Sequence, residues 1–275
     1  MKKRISYLGP PGTFAEEAAL LHDKTAQLIP VPTIPGVASA VSSGMAEEGI
    51  VPIENSLEGS VNDTLDLLIH DSTLLINREL VIPVEHQLLV KEGAQVGQVK
   101  ILYSHPQALG QCRRFIERIL PKVEIVAALS TAAAVQDMID SKTTAAAIGT
   151  RRAAEIYGAE ILAKGIQDRA TNVTRFVVLA AEDHQPTGSD KTSICFSFAE
   201  DRPGVLVEVL QEFSSRNINL AKVESRPTKE VLGRYIFLID FEGHRTDAKV
   251  REALDAVREK TSVLKIFGSY PRYRK

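Results

Sequence analysis

The sequence has only two cysteines, Cys112 and Cys195, and they form no spacing motif. A disulfide framework is therefore not expected, and reduced thiols suit a cytosolic protein. Histidines are few, and His22, His70, His86, His184 and His244 lack metal-ligand spacing. No apolar run approaches the roughly 20 residues needed to cross a bilayer. The basic start Met1-Lys2-Lys3-Arg4 leads into a short apolar run that Gly9-Pro10-Pro11-Gly12 cuts off. An export segment is thus not expected, and the expected location is cytoplasmic. A formal net charge of −2 provides no global field that would point to nucleic acid.

What is present is ordinary for a soluble globular protein: 44% hydrophobic and 25% charged residues. At 275 residues the chain is long for a single core, and two domains are expected. The first part alternates strands and helices. Arg4 to Leu8 reads as a strand, and Thr13 as the N-cap of a helix from Phe14 to Leu21, with Glu16 three residues on. A proline-punctuated link (Pro30, Pro32, Pro35) and a small-residue helix precede the buried strand Gly49 to Ile53. Residues 73 to 90 alternate as one long strand crossing between two lobes, and Ala108 to Ile119 reads as one helix. Thr33 to Val41 and Ser130 to Val135 each begin a small-residue helix that leads to a strand and a polar turn. This weak echo suggests two similar α/β lobes.

Polar residues gather at the strand ends, where ligands collect in open α/β sheets. They are Glu54-Asn55-Ser56, Ser104-His105-Pro106-Gln107, and Thr171-Asn172-Val173-Thr174-Arg175 ahead of the apolar run Phe176 to Ala181. In the last stretch Arg175 could hold a carboxylate bidentately, with Thr174 beside it as a positioned hydroxyl. His105 is open between contact with a substrate and a hydrogen bond to its own turn. Thr131 most simply caps its helix.

Residues 182–190 are polar with Pro and Gly and read as a linker. Beyond them the pattern is βαββαβ, a ferredoxin-like split unit, with Val205, Val209 and Phe213 at i, i+4 and i+8 of its first helix.

Four of these segments, in order and at compatible spacing, resemble a prephenate dehydratase over nearly the whole chain. They are Gly9-Pro10-Pro11-Gly12-Thr13-Phe14, Pro52-Ile53-Glu54-Asn55-Ser56 with Gly59, Ser104-His105-Pro106-Gln107-Ala108-Leu109, and Asn172-Val173-Thr174-Arg175-Phe176. The C-terminal part resembles an ACT domain. Glu224-Ser225-Arg226-Pro227 matches the family's phenylalanine-sensing motif. Gly204-Val205-Leu206-Val207 matches its companion, with Val205 in place of alanine, a change that would crowd the effector pocket.

The resemblance implies a catalytic domain at 1–181, two-lobed like a type II periplasmic binding protein. One lobe takes in about 1–77 and 170–181, and the other about 78–169. A linker at 182–190 and an ACT regulatory domain at 191–275 follow. With no chorismate mutase-like module before residue 5 or after the ACT-like region, the expected enzyme is monofunctional. It converts prephenate to phenylpyruvate, water and carbon dioxide, without metal or organic cofactor, as a step of phenylalanine synthesis. Thr174 assists the leaving hydroxyl. Arg175, Asn55, Ser56, Ser104, His105, Gln107, Thr131, Asn172, Phe176, Thr13 and Glu54 are the expected substrate contacts. Phenylalanine is the expected effector, held by Gly204, Val205, Leu206, Asn217, Asn219, Leu220, Glu224, Ser225 and Arg226 between paired ACT domains of a homodimer or homotetramer. The competing readings are an arogenate dehydratase and a non-catalytic amino-acid sensor.

Overall fold

The computed structural model describes residues 2–200, 202–228 and 234–273. Residue 1 lies outside them, as do residues 201, 229–233, 274 and 275 of the expected regulatory domain. The chain divides into two compact units, residues 1–64 with 80–176 and residues 65–79 with 177–275.

The elements up to the first sheet crossing are β1 (Arg4–Leu8), α1 (Phe14–His22), β2 (Gln27–Val31), α2 (Ile34–Ser42), β3 (Glu48–Asn55), β4 (Gly59–Ser60), α3 (Asn62–Asp66), a π-helix (Leu67–Asp71) and β5 (Leu75–Pro83). The next group is β6 (Gln87–Val90), β7 (Ile101–Ser104), α4 (Pro106–Gln111), α5 (Arg113–Ile119), β8 (Glu124–Ala127), α6 (Thr131–Asp140), β9 (Ala145–Gly149), α7 (Arg151–Tyr157), β10 (Glu160–Ala163) and β11 (Val173–Ala180). Two sheets result, ordered β2-β1-β3-β11-β5, with β4 on β3, and β10-β6-β9-β7-β8.

The two sheets repeat one plan. β1 runs parallel to both β2 and β3, and β7 runs parallel to both β8 and β9. The helices of the sequence echo are α2 and α6, capped alike. Thr33 Oγ1 accepts from Gly36 N at 3.1 Å, and Ser130 Oγ accepts from Ala133 N at 2.9 Å. β9 is buried along its length. Its alternation sends Ala146 and Ile148 into one apolar cluster and Ala145 and Ala147 into another, so both faces of the second sheet are covered at β9.

Three expectations about elements are corrected. Residues 73 to 90 form two strands in different sheets, because Pro83 has no N–H to continue a ladder. The amides of the next residues bond elsewhere, Val84 N to Asn172 O at 2.8 Å and His86 N to Gln167 Oε1 at 3.0 Å. The helix expected over 108–119 breaks at Cys112, where φ −114° and ψ 17° leave the helical region. The proline-punctuated link contains β2, an edge strand, where Pro30 is tolerated for lack of a neighbour on one side. The short strand β10 had no sequence expectation at all.

The remaining elements are β12 (Asp190–Ser197), α8 (Val205–Ser214), β13 (Leu220–Pro227), β14 (Tyr235–Glu242), α9 (Ala248–Lys260) and β15 (Val263–Pro271). They make the expected βαββαβ unit, with an antiparallel sheet ordered β13-β14-β12-β15. Val209 and Phe213 of α8 and Val250, Ala253, Leu254 and Val257 of α9 pack on Ile194, Phe196, Ile239 and Phe241. Gly268 of β15 has φ +142°, and a Cβ there would stand 2.3 Å from the carbonyl oxygen of Ile76 in β5. Only glycine permits that approach. Among the described residues, no helix is long and apolar enough to cross a membrane.

Candidate active site

A cleft of about 400 Å³ opens within the first unit. Its wall brings together seven of the residues expected from the sequence: Thr13, Asn55, His105, Gln107, Thr131, Thr174 and Phe176. The wall also holds Phe14, Pro52, Val84, His86, Gln111 and Leu129. Asp, Glu, Lys and Arg do not occur among the described residues that line it. The groups available for recognition are hydroxyls, amides, two imidazoles and backbone N–H at helix starts.

Strand alternation selects which residues of β11 face the cleft. Thr174 and Phe176 point to one face, and Arg175 to the other. Arg175 accordingly lies off the wall, and its Nε stands 3.4 Å from Glu54 Oε2. The expected carboxylate clamp is thus placed behind the wall, with Glu54 as its neighbour. Ser104 is also off the wall, because its fully buried Oγ donates to Ile148 O at 2.9 Å and ties β7 to β9. Ser130, rather than Thr131, caps α6, which leaves Thr131 as the first helical residue facing the cleft. Thr13 caps α1 as expected, accepting from Glu16 N at 3.4 Å. His105 Nδ1 accepts from Gln107 N at 3.3 Å, so one ring nitrogen serves its own turn while the ring lines the cleft.

Behind Thr174 runs a hydrogen-bond chain whose direction is fixed at one end by the backbone. Asn55 Oδ1 accepts from Leu57 N at 2.9 Å and from Glu58 N at 3.1 Å. Backbone amides only donate, so the other amide atom of Asn55 is Nδ2. It donates to Thr174 Oγ1 at 2.9 Å and to Asn172 Oδ1 at 2.9 Å. Asn172 Nδ2 then donates to Gln111 Oε1 at 3.0 Å, and His86 Nε2 lies 2.9 Å from that same oxygen. An oxygen in that position obliges His86 to carry its proton on Nε2. Burial holds the His86 pKa below the ordinary histidine value, with the Gln111 bond opposing, so the ring is neutral near pH 7.

Ser56 and Asn172 belong to this scaffold. Ser56 Oγ accepts from Val173 N at 3.0 Å, and Ser56 N donates to Val173 O at 2.9 Å. Asn172 is 1% exposed and absent from the wall. Sequence reasoning passed over Gln111 and His86. Gln111 could have been found as the i+4 partner of Gln107 on the same helical face. His86 could have been found as a polar break after Pro83 in an alternating run.

Of the two thiols, Cys112 is fully buried and burial pushes it up to about 12, with Asp168 adding to the shift. Burial likewise pushes Cys195 up to about 12. Neither thiol is a nucleophile at neutral pH.

A family model described as prephenate dehydratase matches residues 5–184, and one described as an ACT domain matches residues 193–259. The bifunctional chorismate mutase/prephenate dehydratase of Aquifex aeolicus is 42% identical over 272 residues, which are 98% of this chain and 74% of that protein. The prephenate dehydratase of Amycolatopsis methanolica is 38% identical over 273 residues, 98% of this chain and 88% of that protein. The crystal structure of the Arthrobacter aurescens prephenate dehydratase in complex with L-Phe is similar with a TM-score of 0.90 at 36% identity. That match covers 98% of this chain and 90% of the other.

Proposed function

This chain belongs to the prephenate dehydratase family, and from that premise we infer that its cleft converts prephenate to phenylpyruvate, carbon dioxide and water under control by phenylalanine. The observation that carries the mechanism is the bond from Asn55 Nδ2 to Thr174 Oγ1 at 2.9 Å. Because Thr174 accepts there, its own proton is available to the cleft. Aimed at the ring hydroxyl, it stabilises the negative charge that grows on that oxygen as the C–O bond breaks. A threonine hydroxyl is too weak an acid to lose its proton outright, so its contribution is a strong hydrogen bond. Such donors are typically worth roughly 10²- to 10³-fold in rate.

The substrate supplies the driving force, since loss of carboxylate and hydroxyl together makes the ring aromatic. The cleft holds the two carboxylates without a cation on its wall, through Thr13 and Thr131 at the starts of α1 and α6, together with Gln107. Helix starts present N–H groups and a positive dipole end to an anion. Phe14, Leu129 and Phe176 give the ring and the departing carbon dioxide an apolar surface. His105 and Asn55 stand within the same wall. Arg175 and Glu54 act from behind β11 by steadying its position.

We assign the catalytic domain to 1–181, the linker to 182–190 and the regulatory domain to 191–275. Within one chain the expected effector residues fall at opposite ends of β13. Leu220 pairs with Phe241 at one end, and Arg226 with Ile236 at the other. Asn217 and Asn219 accompany the first end, and Glu224 and Ser225 the second. β13 is an edge strand, and its Ala221, Val223, Ser225 and Pro227 are exposed. Two-fold pairing of two such edges would set one chain's Asn217 to Leu220 against the other chain's Glu224 to Arg226 and Gly204 to Leu206. This supports an effector bound between chains of a homodimer, or of a tetramer built from dimers, in the cytoplasm. Val205 is buried in its own chain, so its extra bulk over alanine is taken up inside the domain.

The test is phenylpyruvate formation from purified prephenate at neutral pH, with and without phenylalanine, and with arogenate in parallel. Turnover of prephenate that phenylalanine suppresses is the expected result. Faster turnover of arogenate would reassign the substrate. The cleft wall, with no carboxylate to receive arogenate's ammonium group, argues for prephenate. No turnover of either compound would leave an amino-acid sensor.

A further inference from the structure

Arg226 belongs to the motif expected to sense phenylalanine, yet its side chain is engaged elsewhere. Along β13, Leu220, Lys222, Glu224 and Arg226 share the inner face, and Arg226 is the buried one. Its Nη2 lies 3.1 Å from Asp66 Oδ1, with side-chain exposures of 10% and 27%. Asp66 is the last residue of α3, at the point where α-helical bonding gives way to the π-helix Leu67–Asp71. π segments are rare and frequently sit at functional sites.

The start of α3 leads to the active site. Val61 N donates to Ile53 O at 2.9 Å, and Thr64 Oγ1 donates to Pro52 O at 2.6 Å. Pro52 lines the cleft and stands three residues before Asn55, the group that aims Thr174. The far side of the π-helix is held by Lys265 of β15, whose Nζ donates to Ile69 O at 3.1 Å and to Ser72 O at 2.8 Å. One short segment, residues 61–72, therefore touches the cleft strand at its start and the regulatory sheet at its end.

We propose that the Arg226–Asp66 pair is the contact through which effector binding on β13 reaches the cleft, so that Arg226 is a coupling residue and not an effector ligand. The proposal rests on the reading of residues 191–275 as a phenylalanine-binding domain. An effector seated along β13 changes the position of that strand. Asp66 follows, because a buried guanidinium is strongly disfavoured without its partner. Movement at the end of α3 is passed by Thr64 to the Pro52 carbonyl, and so to Asn55. Coupling of this kind is reciprocal, so substrate occupancy must also change the affinity for phenylalanine.

The test uses the full chain and two measurements, phenylalanine binding by calorimetry and phenylpyruvate formation against phenylalanine concentration. Asp66→Asn is expected to keep kcat/KM within about 2-fold and phenylalanine affinity within about 3-fold, while the coupling falls by at least about 5-fold, the lower end of the usual range. Asp66→Glu, which keeps the charge, should retain part of the inhibition and guards against misreading a folding defect. Full inhibition in Asp66→Asn would overturn the proposal. So would an Arg226→Gln chain that loses phenylalanine binding while Asp66→Asn retains it, since Arg226 would then be a ligand. A wild-type chain indifferent to phenylalanine would overturn the regulatory reading itself, and would be recognised before any variant is compared.

Discussion

Asn55 donates to Thr174, not the reverse, and the direction is fixed by the two backbone amides of Leu57 and Glu58 that occupy the Asn55 carbonyl oxygen. A hydroxyl that accepts one hydrogen bond becomes a better donor in the next, because the chain polarises cooperatively. The amide behind Thr174 thus both orients the hydroxyl and strengthens it.

Removing that hydroxyl should show in turnover more than in binding. Thr174→Ala is expected to lower kcat by roughly 10²- to 10³-fold, with KM changed by only a few-fold. Thr174→Ser should retain much of the activity. Steady-state kinetics with matched thermal melts checks both, and wild-type kcat in the alanine variant would remove Thr174 from the mechanism.

Asn55→Asp separates orientation from packing, since the two side chains have the same shape. A carboxylate only accepts, so it would draw the Thr174 proton away from the cleft. Turnover is expected to fall by at least about 100-fold. A charge placed near a dianionic substrate should also raise KM. Retained kcat in a folded Asn55→Asp chain would show that the direction of this bond is irrelevant.

The placement of Arg175 behind β11 predicts a milder loss than its position beside Thr174 suggests. Arg175→Gln should reduce kcat/KM by less than about 10-fold, the effect of a supporting group and not of a buried ionic clamp on substrate. A loss equal to that of Thr174→Ala would mean that Arg175 reaches the substrate.

Acid sensitivity has an identifiable source in Glu48. Burial pushes its carboxyl up, but hydrogen bonds from His22 and Lys3, each at 2.6 Å, more than offset this and hold it below the usual glutamate range. A depressed carboxylate pKa means that the unfolded chain binds the proton more readily. The stabilisation is present above the unfolded pKa and is lost as pH falls through the folded one. Glu48→Gln should be less stable than wild type by about 1–3 kcal/mol at pH 7. That gap should close below about pH 4, and denaturant unfolding at both pH values checks it.

Much of this arrangement was legible in the sequence because local physics decided it. The cap at Thr13, the buried run of β9 and the i, i+4, i+8 pattern of α8 are all set by residues close in the chain. The cleft wall was legible at Thr174, Asn55 and Gln107, where polar residues end buried strands or open helices. Arg175 and Ser104 were harder, because the direction of each depends on which face of its strand meets the cleft, and residue type does not encode that. Gln111 and His86 carry only faint local signals, because they acquire their roles through Asn172, 61 residues beyond Gln111.

The cleft wall has one more implication. The wall presents amides, hydroxyls, apolar groups and two imidazoles, and burial holds that of His86 below the ordinary histidine pKa. Among the described residues it carries no Asp, Glu, Lys or Arg on which a phosphate or a competing anion could act directly. What a change of geometry can act on is whether the Asn55 amide still aims Thr174. This would explain why a catalytic unit of this kind is joined to a domain whose part is to adjust shape.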